Sequence, residues 1–348
     1  MKSFVKRISK TVYSSLKRSF IRITVLSILS IKPKLILAYD ASKVRDGAGA
    51  QLHRILSLSL VSYLFHIRMI KPQIEDITIH PLDPVQDPVA LQSYLEGWNQ
   101  RLFSSNEFMK QPEEFLGYKI RNIDSLKLRN LLFLCIVSKF SKDSIVVLTK
   151  ESHSISDYCV EEYGSVLRLY YKDFLTLVKS QHSNTELIIH YRQGSGRFAI
   201  HPGQNIPRQI SIESVKIAIE DVSSTTMKRI NRVRLFTDSP VESFRYNPLP
   251  SQLHLWEDMP GFDGKSVVNE SSGVEEKLRP TVENRKLLFI VDRNLDAFQM
   301  IVAMARAEAI IISRSSLSYV GALFNQDGEV FYPNGFWHKK LKSWRTYN

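Results

Sequence analysis

The chain has 348 residues, with 47 Lys and Arg against 35 Asp and Glu, a formal net charge of +12 and an apolar fraction of 43%. With only 14 Gly and 14 Pro, this composition excludes a disordered, collagenous or low-complexity chain, and the length predicts two domains of ordinary size. The two cysteines, Cys135 and Cys159, are too few for a disulfide framework and favour a reducing compartment.

An N-terminal arm, residues 1–33, carries most of the excess positive charge. Nine bases lie within residues 1–34, and the other 314 residues hold 38 bases against 35 acids. Apolar side chains recur every fourth residue of the arm, on one side of a predicted helix: Phe4, Ile8, Val12, Leu16 and Phe20. Two interpretations stay open, a basic amphipathic helix on an anionic membrane surface and a solvated tail.

From residue 34 the pattern alternates between apolar strands and amphipathic helices. In the first half we predict strands at 34–39 and 144–149 and helices at 51–65, 88–102 and 123–140, while 165–177 fits either a strand or a helix. Because 35–39 reads as a core strand, we expect that the arm is not cleaved as a signal peptide. The polar residues 179–184 predict a domain boundary.

The second half repeats the alternation. We predict strands at 187–191, 233–237, 287–291, 309–312 and 329–332, helices at 295–307 and 316–324, and a helix as one interpretation of 212–220. Residues 263–281, rich in Gly, Ser, Glu and Lys, predict a flexible interruption. Such alternation indicates an α/β fold with parallel sheets that are buried on both faces.

Two glycines stand where the first long helix begins. In Asp46-Gly-Ala-Gly-Ala-Gln51, Gly47 and Gly49 allow backbone N–H groups to face an anion and a substrate to approach closely. The dinucleotide-binding fingerprint needs a third glycine where Leu52 stands. A structural turn between strand and helix is the alternative for this loop on its own.

A second candidate follows the strand at 187–191. His190 and Arg192 lie at its carboxyl end, the edge where α/β sheets bind ligands, and Gly194 permits close backbone approach. A guanidinium can hold a phosphate through two parallel hydrogen bonds. A solvated arginine at a strand end is the alternative.

A third candidate is the serine-rich segment 313–318, between a strand and a helix. Ser315 and Ser316 open the helix, and hydroxyls beside free backbone N–H groups suit a phosphate. The alternative, that these serines are only N-caps, is compatible with a ligand contact. The chain has no Asp-x-Asp pair, no zinc spacing of Cys and His, and no Gly-x-Ser-x-Gly.

Taken in order, these motifs resemble the inverting, metal-independent GT-B glycosyltransferases related to α-1,2-fucosyltransferases and protein O-fucosyltransferases. The matching segments are Gly47-Ala-Gly49-Ala-Gln51, His190-Tyr-Arg192-Gln-Gly194, the strand end Thr237-Asp238-Ser239, Ser313-Arg-Ser315-Ser316-Leu-Ser318 and the closing 330–338. Two positions depart from the family pattern: Ser195 stands where the family has Asp, and Leu317 stands where it has an aromatic residue.

The resemblance implies a GT-B fold, in which two Rossmann-like domains face a cleft. It assigns 34–180 to an acceptor domain and 181–348 to a donor domain that binds the nucleotide sugar. Arg192 would bind the β-phosphate, Ser315 and Ser316 would hold the same diphosphate, and Asp238 and His190 would orient the nucleotide or neighbouring loops. Asp46 is the candidate general base, and pairing with Arg45 or capping of the helix is its alternative role.

The implied activity is transfer of a sugar, fucose from GDP-fucose by resemblance, to a glycan or a lipid-linked saccharide. We expect no metal and no cofactor beside this donor, no nucleic-acid partner, and a cytoplasmic protein. If the arm is a membrane-surface helix rather than a solvated tail, it contacts the inner face of an anionic membrane. The alternative function is a non-catalytic protein that binds nucleotide or glycan, or that binds nucleic acid through the arm.

Overall fold

The computed structural model of the protein describes residues 23, 34–41, 47–74, 88–109, 118–180, 184–191, 210–237, 274–292 and 296–348. The chain divides into two compact units, Met1–Ile79 with Val85–Leu177 and His80–Pro84 with Val178–Asn348. The predicted arm lies outside the described residues, apart from the exposed Ile23. Among the described residues, no helix has both the length and the apolar character needed to cross a bilayer.

The first unit is built on a five-stranded parallel sheet with the strand order β3-β2-β1-β5-β4. Its elements in chain order are β1 (Leu35–Tyr39), α1 (Ala48–Phe65), β2 (Arg68–Ile70), α2 (Pro88–Leu102), β3 (Phe108–Met109), β4 (Lys119–Ser125), α3 (Leu128–Phe140), β5 (Ile145–Glu151), α4 (His153–Ser156), α5 (Tyr163–Tyr170) and α6 (Lys172–Ser180). The central strand β1 is apolar and almost wholly buried, as expected for a parallel strand that is covered on both faces.

Hydroxyl pairs join α1 to residues 163–171, which comprise α5 and the residue that follows it. Three buried serines of α1 each lie within hydrogen-bond distance of a tyrosine hydroxyl: Ser57 and Tyr163 (3.0 Å), Ser59 and Tyr171 (2.9 Å), Ser62 and Tyr170 (2.7 Å). Burial raises the pKa of all three tyrosines above the usual value, so the hydroxyls stay protonated. Because each of these hydroxyls has a partner, the polar groups do not oppose the packing of the helices.

The second unit is built on a six-stranded parallel sheet with the strand order β11-β10-β9-β6-β7-β8. Its elements are β6 (Asn184–Tyr191), α7 (Ile212–Glu220), α8 (Ser224–Met227), β7 (Arg232–Thr237), α9 (Val274–Glu283), β8 (Leu288–Asp292), α10 (Ala297–Arg306), β9 (Ala307–Ile311), α11 (Ser316–Phe324), β10 (Glu329–Pro333) and β11 (Arg345–Tyr347). The predicted α/β fold with two parallel sheets is confirmed.

Both faces of the second sheet bury apolar residues, and one of them also holds a buried ion-pair cluster. Odd-numbered strand residues such as Leu187, Val233 and Ile311 belong to one apolar core. On the other face, the fully buried Glu186 forms ion pairs with Arg232 and Arg234. A buried carboxylate is stable only when it is paired, so the two arginines hold Glu186 within the sheet.

Two predicted elements are wrong in part. The helix predicted at 123–140 begins only at Leu128, because 119–125 form β4, an edge strand whose exposed polar side chains give no apolar pattern. Of the interruption predicted at 263–281, residues 274–281 belong to α9, which buries Val274, Leu278 and Val282 at a spacing of four. The predominantly polar composition of the rest of α9 obscures this spacing in the sequence.

Other differences are smaller. The segment 165–177, which fits either a strand or a helix, is helical and falls into α5 and α6. The interpretation of 212–220 as a helix is confirmed by α7. The short strands β2, β3 and β11 have no counterpart among the predicted elements, since two or three residues are too few to show a period.

Candidate functional site

The carboxyl edge of the second sheet brings together two of the predicted motifs. His190 is the penultimate residue of β6, and Ser313 lies two residues beyond the end of β9. These strands are neighbours, with Ile189 opposite Ile311. His190 Nδ1 and Ser313 Oγ are 2.6 Å apart in a buried environment, so a hydrogen bond links residues that are 123 positions apart in the chain.

The serine-rich segment forms the start of α11. Ser315 is the N-cap residue in an extended conformation, and its backbone N–H donates to the Ser313 carbonyl at 2.8 Å. Ser318 Oγ donates to the carbonyls of Ser313 (3.2 Å) and Ser315 (3.1 Å). The loop is therefore tied back to the first turn of its own helix.

The N-terminus of α11 differs from those of three other helices in this unit. The side chains of Ser211, Ser223 and Asp296 accept hydrogen bonds from first-turn N–H groups of α7, α8 and α10. The Ser315 side chain makes no such bond to α11. First-turn N–H groups without a capping side chain, together with the helix dipole, favour an anion at this end.

His338 is a site residue for which the sequence analysis gave no role. Its Nε2 lies 3.0 Å from Ser316 Oγ, and its ring packs 4.7 Å from Tyr319 and 5.0 Å from Phe336, measured between centroids. Tyr332 donates a hydrogen bond to the His338 carbonyl. The sequence signals for His338 are the aromatic residues at 336–337 and its place in the closing segment 330–338 of the family resemblance.

Arg314, which lies between Ser313 and Ser315, contacts the backbone of a neighbouring loop. Its Nε and Nη2 donate to the Asn334 carbonyl at 3.2 and 2.7 Å. Burial lowers the pKa of the Arg314 guanidinium, while Tyr347 and Tyr332 act in the opposite direction. These bonds join the loop after β9 to the end of β10.

In the first unit, the predicted glycine loop meets the start of α1. Gly47 is the N-cap residue, and its carbonyl accepts from the N–H groups of Ala50 (3.0 Å) and Gln51 (3.2 Å). A Cβ placed on Gly47 would have no heavy atom within 4 Å, so local packing does not require glycine there. Gly49 and Gln51 are buried in the first turn.

A pair of stacked histidines, His53 of α1 and His153 after β5, was missed by the sequence analysis. His153 follows β5 after a single residue, and its ring stacks on that of His53 at 4.6 Å and 14°. His153 Nδ1 is 3.1 Å from Ser57 Oγ. Burial lowers the pKa of His153 to about 4, with Glu151 opposing and Arg54 reinforcing the shift, so the ring is neutral at physiological pH.

Four predicted site residues lie outside the described residues: Asp46, Arg192, Gly194 and Asp238. The chain continues into Arg192 from Tyr191 and into Asp238 from Thr237, and Tyr191 and Thr237 are register partners in β6 and β7. The predicted roles of the four residues stay predictions. Within the described ranges, no group of three or more His, Cys, Asp or Glu could hold a metal ion.

Comparison with known proteins gives no assignment at the level of sequence. No protein-family profile matches the chain, and no curated protein matches it. Among solved structures, POFUT1 in complex with GDP is similar at 10% identity over 86% of this chain and 97% of that chain, with a TM-score of 0.41.

Two further structures are similar to a comparable extent. The E. coli heptosyltransferase WaaC with ADP-2-deoxy-2-fluoro heptose is 12% identical over 90% of this chain and 92% of that chain, with a TM-score of 0.36. A mutant of Arabidopsis thaliana FUT1 in complex with GDP is 8% identical over 97% of this chain and 81% of that chain, with a TM-score of 0.33. At these scores the similarities do not establish an activity for this chain.

Proposed function

We propose that this protein is an inverting glycosyltransferase of the GT-B type that takes its sugar from a nucleoside diphosphate sugar. The observation that carries the proposal is the meeting of His190, Ser313, Ser315 and Ser316 at one sheet edge, beside a helix N-terminus without a capping side chain. These residues belong to the motifs that resemble the fucosyltransferase-related enzymes, so the donor that we propose is GDP-fucose.

In the proposed site, the N-terminus of α11 and the hydroxyls of Ser315 and Ser316 receive the diphosphate. Ser316 has one hydroxyl hydrogen. If His338 Nε2–H donates to Ser316 Oγ, that hydrogen is available to a phosphate oxygen. We assign this tautomer to His338 because it makes Ser316 a donor toward an anion.

Arg192 completes the phosphate site in this proposal. It follows Tyr191, at the strand end that His190 also occupies, and its guanidinium binds the β-phosphate. The acceptor hydroxyl attacks the anomeric carbon from the opposite side as the bond from that carbon to the phosphate oxygen breaks. The negative charge that develops on the leaving diphosphate is stabilised by Arg192 and the helix N-terminus.

The acceptor is a glycan or a lipid-linked saccharide that we place on the first unit, near the start of α1. The absence of a side chain on Gly47 gives a substrate room beside its backbone. Asp46, the preceding residue, is the proposed general base that takes the proton of the acceptor hydroxyl. Cys135 and Cys159 are not in a disulfide, which is compatible with the cytoplasmic location that we propose.

The test uses the purified full chain with a panel of nucleotide sugars and their nucleoside diphosphates. We expect GDP-fucose and GDP to raise the thermal unfolding midpoint, and a chelator to leave both binding and turnover unchanged. Arg192→Ala should abolish turnover. Arg279→Ala, which removes an exposed arginine of α9 paired with Glu283, is the matched control and should retain it.

The results that contradict the proposal are equally definite. A chain that binds no nucleotide sugar, or an Arg192→Ala variant with unchanged turnover, rejects the assignment. Binding of a donor without any transfer or hydrolysis supports the non-catalytic alternative. Stabilisation by another nucleotide sugar, with none by GDP-fucose, retains the enzyme class and rejects the proposed donor.

A further inference from the structure

Helix α3 of the first unit has an exposed apolar strip. Phe133, Ile136, Val137 and Phe140 are 64%, 42%, 37% and 80% exposed. At about 3.6 residues per turn, these four positions fall within about 100° of the helix circumference. They therefore form one continuous surface, which we call the α3 strip.

The opposite side of α3 is also apolar, since Leu131, Leu134 and Cys135 are buried. A helix on the surface of a globular protein normally turns a polar face to water, whereas one that is apolar all round is in contact with apolar material on both sides. Single exposed apolar residues are ordinary, but a contiguous group that includes two phenylalanines indicates an interaction surface.

Basic residues lie on α3 and next to both of its ends. Lys127, Arg129, Lys139 and Lys142 are all exposed, and no acidic residue occurs from 125 to 142. None of these four bases forms an ion pair with another residue in the described part of the chain. The strip therefore combines an apolar centre with a positive border.

We propose that α3 docks on an anionic phospholipid surface. The helix has 13 residues, a length of about 20 Å, and is too short to span a hydrocarbon core of about 30 Å. It lies in the plane of the interface, with Phe133 and Phe140 in the boundary between headgroups and acyl chains. The bases contact the lipid phosphates.

The charge of the α3 strip favours an anionic lipid surface over other partners. A second copy of α3, or the arm of residues 1–33, would bring further positive charge against the bases of the strip. Single-stranded nucleic acid binds to proteins by stacking its bases on aromatic rings along a basic groove, and the aliphatic Ile136 and Val137 lie between the two phenylalanines. An anionic bilayer matches both the apolar centre and the positive border.

The first experiment measures binding of the full chain to vesicles of phosphatidylglycerol and phosphatidylcholine. We expect Phe133→Ser combined with Phe140→Ser to weaken binding by about tenfold or more, because two phenyl groups that the lipid would bury are lost. Ile217→Ser, at a 53% exposed position of α7, is the matched control and should bind as the wild type does. Thermal unfolding of each variant verifies that it is folded.

The arm is a second predicted lipid contact, so a second readout reports on α3 alone. The emission that Phe140→Trp adds to that of the four native tryptophans should be quenched by brominated lipid in the vesicles. The emission added by Ile217→Trp should not be quenched. Equal vesicle binding by the wild type and the double serine variant, or no quenching at position 140, overturns the proposal. So does a strip that binds RNA or an acidic protein but no vesicles.

Discussion

The largely buried imidazole of His153 predicts a specific dependence of stability on pH. Its pKa is lowered to about 4 from an ordinary value of 6.5, and burial is the largest cause. The stacked ring of His53 and the neighbouring Arg54 both lie on α1, while Glu151 precedes the histidine on β5. The folded protein therefore keeps His153 neutral over a range in which the unfolded chain binds a proton.

The sign and the size follow from these two pKa values. Well above pH 6.5, the ordinary pKa, His153 is neutral in both the folded and the unfolded state, and the stability is fully present. As the pH falls from 6.5 toward 4, the unfolded chain takes up a proton that the folded chain excludes, so stability is lost. Between about pH 7.5 and about pH 5 the loss from this one group amounts to about 2 kcal/mol.

Urea unfolding at about pH 7.5 and about pH 5, followed by the transition of the first unit, measures this loss. His153→Asn removes the titrating group and keeps a polar atom near Ser57. Between the two pH values, the free energy of unfolding of this variant should therefore fall by about 2 kcal/mol less than that of the wild type. The imidazole signal that is present in the wild type and absent from His153→Asn belongs to His153, and its NMR titration gives the pKa directly. A midpoint near the ordinary value of 6.5, or equal losses in both proteins, would refute the reasoning.

Ser316→Ala and His338→Phe should each weaken GDP binding by about three- to tenfold. The affinity of the double variant should be no lower than that of the weaker single variant, because all three variants lack the same hydrogen bond. His338→Gln can still donate to Ser316 and should bind nearly as the wild type does; calorimetric titration that shows additive losses contradicts the shared role. Gly321→Ala should lower the free energy of unfolding by about 1–3 kcal/mol, since a Cβ would lie 2.8 Å from Met304 Cβ. Gly97→Ala, where a Cβ has no neighbour within 4 Å, should raise it by about 0.5–1 kcal/mol, and urea unfolding that shows equal effects at both glycines argues against the packing explanation.

The central strands and the long helices could be predicted because their burial shows in the local pattern of apolar residues. β1 and β5 are apolar runs, and α1 begins at the predicted glycine loop and ends at Phe65. The edge strand β4 could not, since one neighbouring strand and solvent set its residue types. The period of apolar residues in a sequence reflects which side chains are buried. An edge strand with exposed side chains has few buried residues, so it shows no clear period.

For the candidate site, the sequence could identify strand ends but not side-chain partners. The contact of His190 with Ser313 depends on the pairing of β6 with β9, strands that are not consecutive in the chain. The stack of His53 on His153 depends in the same way on α1 lying beside the end of β5. The residues next to His53 and His153 in the sequence do not indicate that the two rings stack on each other.

The start of α11 departs from the local preference that α7, α8 and α10 of the second unit follow. A capping side chain is worth about 1 kcal/mol, and each of these three helices has one. Ser315 has a residue type suited to capping α11, yet its side chain does not accept from the first turn, while Ser313 and Ser316 are held by His190 and His338. A departure from local stability in the same place as a sequence motif is expected of a binding site, which is why we place the diphosphate there.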